Sequence, residues 1–185
     1  MNILTYTRRT TVSFLKNNKK SFSFHNKIQY STETKGEGFN RRIYLLKNNQ
    51  RISPWHDIDL QPSARTYSGF FELSFRDLSK KEVDATTRHN PVKQDTHKSR
   101  HTGKEVLRYY AKFPYVNYGM IPQTWEDSTI LDPKTGCYGD NDPLDVWELG
   151  NKPISTGSIV DLKILGALCL IDQDELDWKI LALNK

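Results

Sequence analysis

The sequence predicts a mainly β protein, a small antiparallel barrel whose long polar loops carry its chemistry. Three observations support that class. Short segments rich in β-branched, aromatic and aliphatic residues recur, each bounded by Gly, Pro, Asn or Asp. Neither an internal repeat nor a sustained helical period is present. The 185 residues, 36% of them hydrophobic, are enough for one soluble globular domain.

The first 32 residues stand apart. They hold Arg8, Arg9, Lys16, Lys19, Lys20 and Lys27 and no acid, so the net charge of +5 divides into +6 here and −1 in the remainder. Ser and Thr fill the segment, with Ile3, Leu4, Val12, Phe14, Leu15, Phe22 and Phe24 spaced among the cations. That is the chemistry of a mitochondrial transit peptide, and a leader is expected over residues 1–35. A basic disordered tail on a cytoplasmic protein is the alternative. A secretory signal needs an unbroken apolar centre of about seven residues, which the recurring Lys and Arg prevent. The near-neutral body also lacks the broad cationic footprint that nucleic acid requires, so no nucleic-acid partner is expected.

Beyond Phe39, strands are expected at Ile43–Lys47, Gly69–Phe75, Ser158–Leu165, Ala167–Ile171 and Trp178–Leu183. The longest apolar run, Ile164 to Ile171 with one glycine counted, is eight residues, against about 20 for a membrane-spanning helix. No membrane partner is expected. Cys137 and Cys169 match neither a disulfide framework nor a zinc set and are read as free thiols in a reducing compartment. His97 and His101 have zincin spacing, but Lys98 stands where that motif needs Glu.

The densest chemistry lies in Gly139-Asp140-Asn141-Asp142-Pro143-Leu144-Asp145-Val146, three carboxylates within six residues. Their mutual repulsion calls for a counter-ion. An ordinary Asx–Pro turn is the plain alternative. An EF-hand fails, because its sixth position, normally Gly, would be Asp145. Oxygen ligands in a short loop suit a hard cation, and Mg²⁺ typically takes one or two carboxylates while keeping waters and substrate phosphates. A second acidic group runs from Asp172 to Asp177, and Asp177 and Lys179, two apart on a strand, share a face. Lys80 and Glu82 repeat that spacing. A solvated surface salt bridge is the plain reading of any single such pair.

These strings, together with Ser53-Pro54-Trp55-His56-Asp57-Ile58, Asn90-Pro91-Val92-Lys93-Gln94-Asp95, Asn117-Tyr118-Gly119 and Gln123-Thr124-Trp125-Glu126-Asp127, resemble the soluble inorganic pyrophosphatases of eukaryotic type from about residue 40 onward. The resemblance implies a five-stranded OB-type barrel with flanking helices, a homodimer, and Mg²⁺-dependent hydrolysis of pyrophosphate. By position, Asp140, Asp145 and Asp177 match ligands of shared metals, and Asp172 and Glu82 match ligands of further metals. Asp142 matches the group that orients or deprotonates the attacking water. Lys80, Arg108, Tyr118 and Lys179 match phosphate contacts, and Glu72 a supporting carboxylate at the rim. The matched acids apart from Glu72 outnumber the matched Lys and Arg by three, so divalent cations must come first or arrive with the pyrophosphate to offset the excess.

Some positions depart from the family pattern. Phe113-Pro114-Tyr115-Val116-Asn117-Tyr118 is compressed, so Tyr115 either replaces the family's first loop tyrosine or merely neighbours it. Arg108 remains the natural match despite two extra residues before it. The family pattern continues past Lys185, so residues 36–185 are expected to be a C-terminally incomplete domain with uncovered apolar surface beside the last strand. Two readings compete with the enzyme: an inactive remnant keeping a metal-binding loop, and an OB module for single-stranded nucleic acid, which the carboxylates oppose.

Overall fold

In the computed structural model, residues 29–185 are described, and residues 1–28 of the expected leader lie outside them. The chain begins with β1 (Tyr30–Lys35), β2 (Arg42–Lys47), β3 (Gln50–Ile52), β4 (Tyr67–Leu73) and β5 (Lys81–Val83). It continues through β6 (Val92–Gln94), β7 (Thr96–Lys98), β8 (Glu105–Leu107) and β9 (Asn117–Met120). The last strands are β10 (Tyr138–Gly139), β11 (Asp145–Glu148), β12 (Ile159–Asp172) and β13 (Glu175–Asn184). β1 falls inside the stretch assigned to the leader and pairs along its whole length with β2, from Tyr30 opposite Lys47 to Lys35 opposite Arg42.

Five strands close on themselves: β13 pairs with β11, β11 with β9, β9 with β4, β4 with β12, and β12 returns to β13. The result is the expected OB-type barrel, with one departure from an all-antiparallel pattern, the parallel β11–β13 seam. The flanking helices are a correction. Among the described residues the only helical element is the 3₁₀ turn Gly38–Asn40, consistent with a sequence that has no helical period and breaks its connections with Pro and Gly.

Two cores meet back to back on β4. Neighbouring strand residues point to opposite faces. Phe71 therefore joins Val146, Leu162 and Ala182, while Phe70 joins Leu45, Val83, Val92 and Met120 beneath the smaller β1–β2–β6–β5 sheet. Both phenylalanines are buried. Gly119 lets β9 lie close on β4, since a Cβ there would sit 2.8 Å from the Phe71 Cα and 2.9 Å from the Phe70 carbonyl carbon. Beside it, fully buried Asn117 accepts the Phe75 and Ile154 amides and donates to Glu148 and the Lys152 carbonyl. Within Asn117-Tyr118-Gly119, the outer residues anchor the strand while the middle one faces the site.

The two expected strands on either side of Gly166 are one strand with a bulge. The register passes from Ile164–Ala182 to Gly166–Leu181, so Leu165 is the extra residue. A two-residue turn, Gln173 and Asp174 both at positive φ, joins β12 to β13 and suits the twist of a tight hairpin. Along the outer half of β12, Leu165, Leu168, Leu170 and Ile171 are exposed.

Candidate active site

A cavity of about 420 Å³ opens beside the closed barrel, and all ten sequence-predicted site residues line it: Lys80, Glu82, Arg108, Tyr118, Asp140, Asp142, Asp145, Asp172, Asp177 and Lys179. Its lining holds eight carboxylates against four Lys and Arg, a formal excess of four negative charges.

The acidic wall follows from local chain chemistry. The Asp140 carboxylate accepts the Asp142 amide at 2.9 Å across Asn141, which sits at φ 70, an Asx turn around a residue type that tolerates left-handed backbone. Thr124 Oγ1 holds the Leu144 amide, and Pro143 carries the chain into β11, where Asp145 begins the strand. Register then places Asp145 opposite Lys179 on β13. Lys179, 5% exposed, donates to Asp145 and Asp177 and at 2.9 Å to the Tyr118 hydroxyl, which itself donates to Asp145. This pair is therefore no solvated surface bridge.

The basic wall is a second unit. Lys80 Nζ donates to Asp95 at 3.0 Å and to Glu82 at 3.3 Å, and Arg108 donates to the same Asp95 oxygen at 3.0 Å. Main-chain bonds tie the three together, Asp95 N–H to Lys80 O and Arg108 N–H to Asp95 O. Asp95, unmentioned in any role by the motif reading, thus sets the separation of two cations.

Burial shifts the acids upward. Asp142 is raised to about 6 by burial and then by Asp140, and Asp145 to about 6 by burial against the pull of Lys179. Asp140 is raised by burial too. Glu126 reaches about 8, through burial and the neighbouring Asp140. Burial alone would lower Lys80, yet Asp95 and Glu82 hold it above its ordinary value. Tyr118 is held well above 10 by burial and by Asp145.

Four further residues lie elsewhere than expected or were missed. Glu72 is a floor residue, 4% exposed, its carboxylate accepting the Val83 amide, instead of a rim group. Tyr115 is 73% exposed and stands outside the lining, where Tyr110 supplies the second tyrosine. Glu126 brings a carboxylate oxygen within 4.8 Å of Asp140 and Asp177. Nothing in its spacing marks it, although it lies within Gln123-Thr124-Trp125-Glu126-Asp127. All-oxygen donors crowded this way, with more acid than the local lysine can neutralise, fit a hard divalent cation at Glu126, Asp140 and Asp177.

Residues 70–185 match the family model described as inorganic pyrophosphatase. The human inorganic pyrophosphatase is 40% identical over 163 residues, covering 84% of this chain and 54% of its own. A chloroplastic soluble inorganic pyrophosphatase of Arabidopsis thaliana is 37% identical over 187 residues, covering 98% of this chain and 59% of its own. Thus the chain spans little more than half the length of these relatives. Among solved structures, a type I inorganic pyrophosphatase from Toxoplasma gondii superposes with a TM-score of 0.75 at 36% identity, over 85% of this chain and 70% of that one. A truncated Trypanosoma cruzi vacuolar soluble pyrophosphatase, solved in complex with PPi, gives 0.77 at 28% identity, over 96% and 72%.

Proposed function

This chain belongs to the inorganic pyrophosphatase family, and on that footing we propose that it hydrolyses pyrophosphate to two orthophosphates with Mg²⁺ as cofactor. One observation carries the reading: the acidic wall and the Lys80–Asp95–Arg108 wall face a single cavity, carboxylates for cations on one side and cations for phosphate on the other. The T. cruzi relative solved with PPi supports pyrophosphate as the substrate.

Asp140, Asp145 and Asp177 would hold the cation, with Asp172 and Glu82 serving further ions. When bound, it supplies charge neutralisation and makes a water acidic enough to lose its proton. Asp142, poised near 6 and outside the Lys179 network, accepts that proton, as a general base matched to near-neutral pH should. Lys80 and Arg108 bind and orient phosphate oxygens, and Lys179 and the Tyr118 hydroxyl donate to charge that develops on equatorial or leaving oxygens. Phosphate release with Mg²⁺, abolished by chelator, tests the reading; a chain that binds the cation yet releases no phosphate refutes it. Asp142→Asn should lower turnover by about 10²- to 10⁴-fold with cation binding retained.

Two finer readings go with it. A homodimer rests on the family resemblance and is checked by light scattering. A mitochondrial matrix location rests on the six cations and absent acids of residues 1–32. Replacing Arg8, Arg9, Lys16, Lys19 and Lys20 with Gln should keep a tagged chain cytosolic, and a wild-type chain fractionating with cytosol would reverse that assignment.

A further inference from the structure

We propose that Glu126 is a positioning residue that fixes the separation of the two acidic segments, so that Asp140 and Asp177 meet at a cation-holding distance. This rests on the reading of those aspartates as cation ligands.

Three separate contacts converge on Glu126. Its main chain is joined to the acidic loop in both directions: the Glu126 amide donates to the Asp142 carbonyl at 2.8 Å, and its carbonyl accepts the Asn141 amide at 3.0 Å. Its side chain reaches the other segment, where the Trp178 amide donates to Oε1 at 3.0 Å and Oε2 at 3.3 Å. Trp178 lies between Asp177 and Lys179, so that amide sets the height of both flanking side chains. The third contact is steric. A Cβ at Gly139 would stand 2.5 Å from the Glu126 carbonyl carbon and 2.6 Å from its oxygen, so only glycine lets the loop close down on Glu126 at this spot.

Sheet pairing does only part of this work: the last β10–β13 pair, Gly139–Leu176, stands just before Asp140 and Asp177 and does not extend to them. The short β10 pairs with β13 only at Tyr138–Glu175 and Gly139–Leu176, and β11 takes up the pairing only from Asp145. Between those anchors, residues 140–144 have no ladder to β13, and Asp140 sits in that gap. Glu126 bridges it. Only 6% exposed, it is buried away from solvent, and its length is what spans from its own loop to the Trp178 amide. A carboxylate one methylene shorter would keep the charge and lose the reach.

The test uses the whole 185-residue chain and Mn²⁺ alone, its binding read by electron paramagnetic resonance, with Trp178 amide exchange measured by NMR in the absence of metal. Glu126→Gln keeps an acceptor at full reach; Glu126→Asp keeps the charge but falls short. Glu126→Asp should exchange the Trp178 amide about tenfold faster, as loss of one hydrogen bond predicts, and bind Mn²⁺ about tenfold or more weakly, the usual effect of losing a residue behind a ligand. Glu126→Gln should leave the exchange near wild type and bind Mn²⁺ more tightly than Glu126→Asp. The proposal is overturned if Glu126→Asp leaves either quantity unchanged. It also fails if Glu126→Gln binds Mn²⁺ as poorly as Glu126→Asp, because charge and not reach would then matter. Wild-type protein that binds no Mn²⁺ would instead remove the cation reading of Asp140 and Asp177, and the exchange rates would still decide whether Glu126 ties the segments together.

Discussion

Asp95→Ala separates orientation from charge in the basic wall. In the structure one carboxylate oxygen accepts from Lys80 and from Arg108, each at 3.0 Å. With an effective dielectric near 20, a unit pair at that distance attracts by about 5 kcal/mol before desolvation is subtracted, and the net value of a charged hydrogen bond is about 1.5–3 kcal/mol. Removing Asp95 has two opposed effects. It frees two cations for phosphate, which favours binding and lowers KM. It also lets both side chains leave their fixed geometry, and a misplacement of about 1 Å costs on the order of 10²-fold in the chemical step. The second effect falls on kcat, so kcat should drop by about 10- to 100-fold whichever way KM moves, equivalent to about 1.4–2.8 kcal/mol. Steady-state phosphate release is the assay, with Asp95→Asn as a control that keeps an acceptor for the Thr96 amide. Asp95 acts through its partners. The Asp95→Ala loss should therefore largely vanish in an Arg108→Ala, Lys80→Ala background. A kcat within about twofold of wild type, or losses that simply add, would refute the argument.

Other outcomes follow from the same structure. Asp142, Asp145 and Glu126 have native pKa values raised by burial to about 6, 6 and 8, so the native state holds more protons than the unfolded chain between about pH 4 and 8. In chelator, stability should therefore fall as pH rises through that window, and a thermal midpoint higher at pH 8 than at pH 5 would contradict it. Depressed carboxylates such as Asp84, at about 2 through the Thr86 and Thr87 hydroxyls against its burial, work the other way and lose their contribution only below about pH 4. Phe71→Ala, at a fully buried position, should cost about 3–5 kcal/mol in urea unfolding. Gly119→Ala forces β9 from β4 and should cost about 1–3 kcal/mol or more, with Tyr118 displaced and a loss of activity beyond the stability change.

Much of this molecule can be read along the chain, because the signals are local. Gly, Pro, Asn and Asp bound the strands, period-2 spacing puts Lys179 beside Asp177 and Lys80 beside Glu82, and the Asp140-Asn141-Asp142-Pro143 turn forms its own Asx bond. Those features need only neighbours within four positions. Other features were settled by tertiary structure. Two-residue β10, three-residue β5 and the Leu165 bulge exist because partners across the sheet satisfy their backbone groups, a cause that no short window contains. The same holds for Tyr110 over Tyr115 and for Glu72 on the floor, where burial decided. Asp95 meets Arg108 from 13 positions away, and Glu126 meets Trp178 from 52. Barrel closure brings those pairs together. A carboxylate's role as a bridge is a property of the distance it spans, and that distance is fixed only when the sheet has closed.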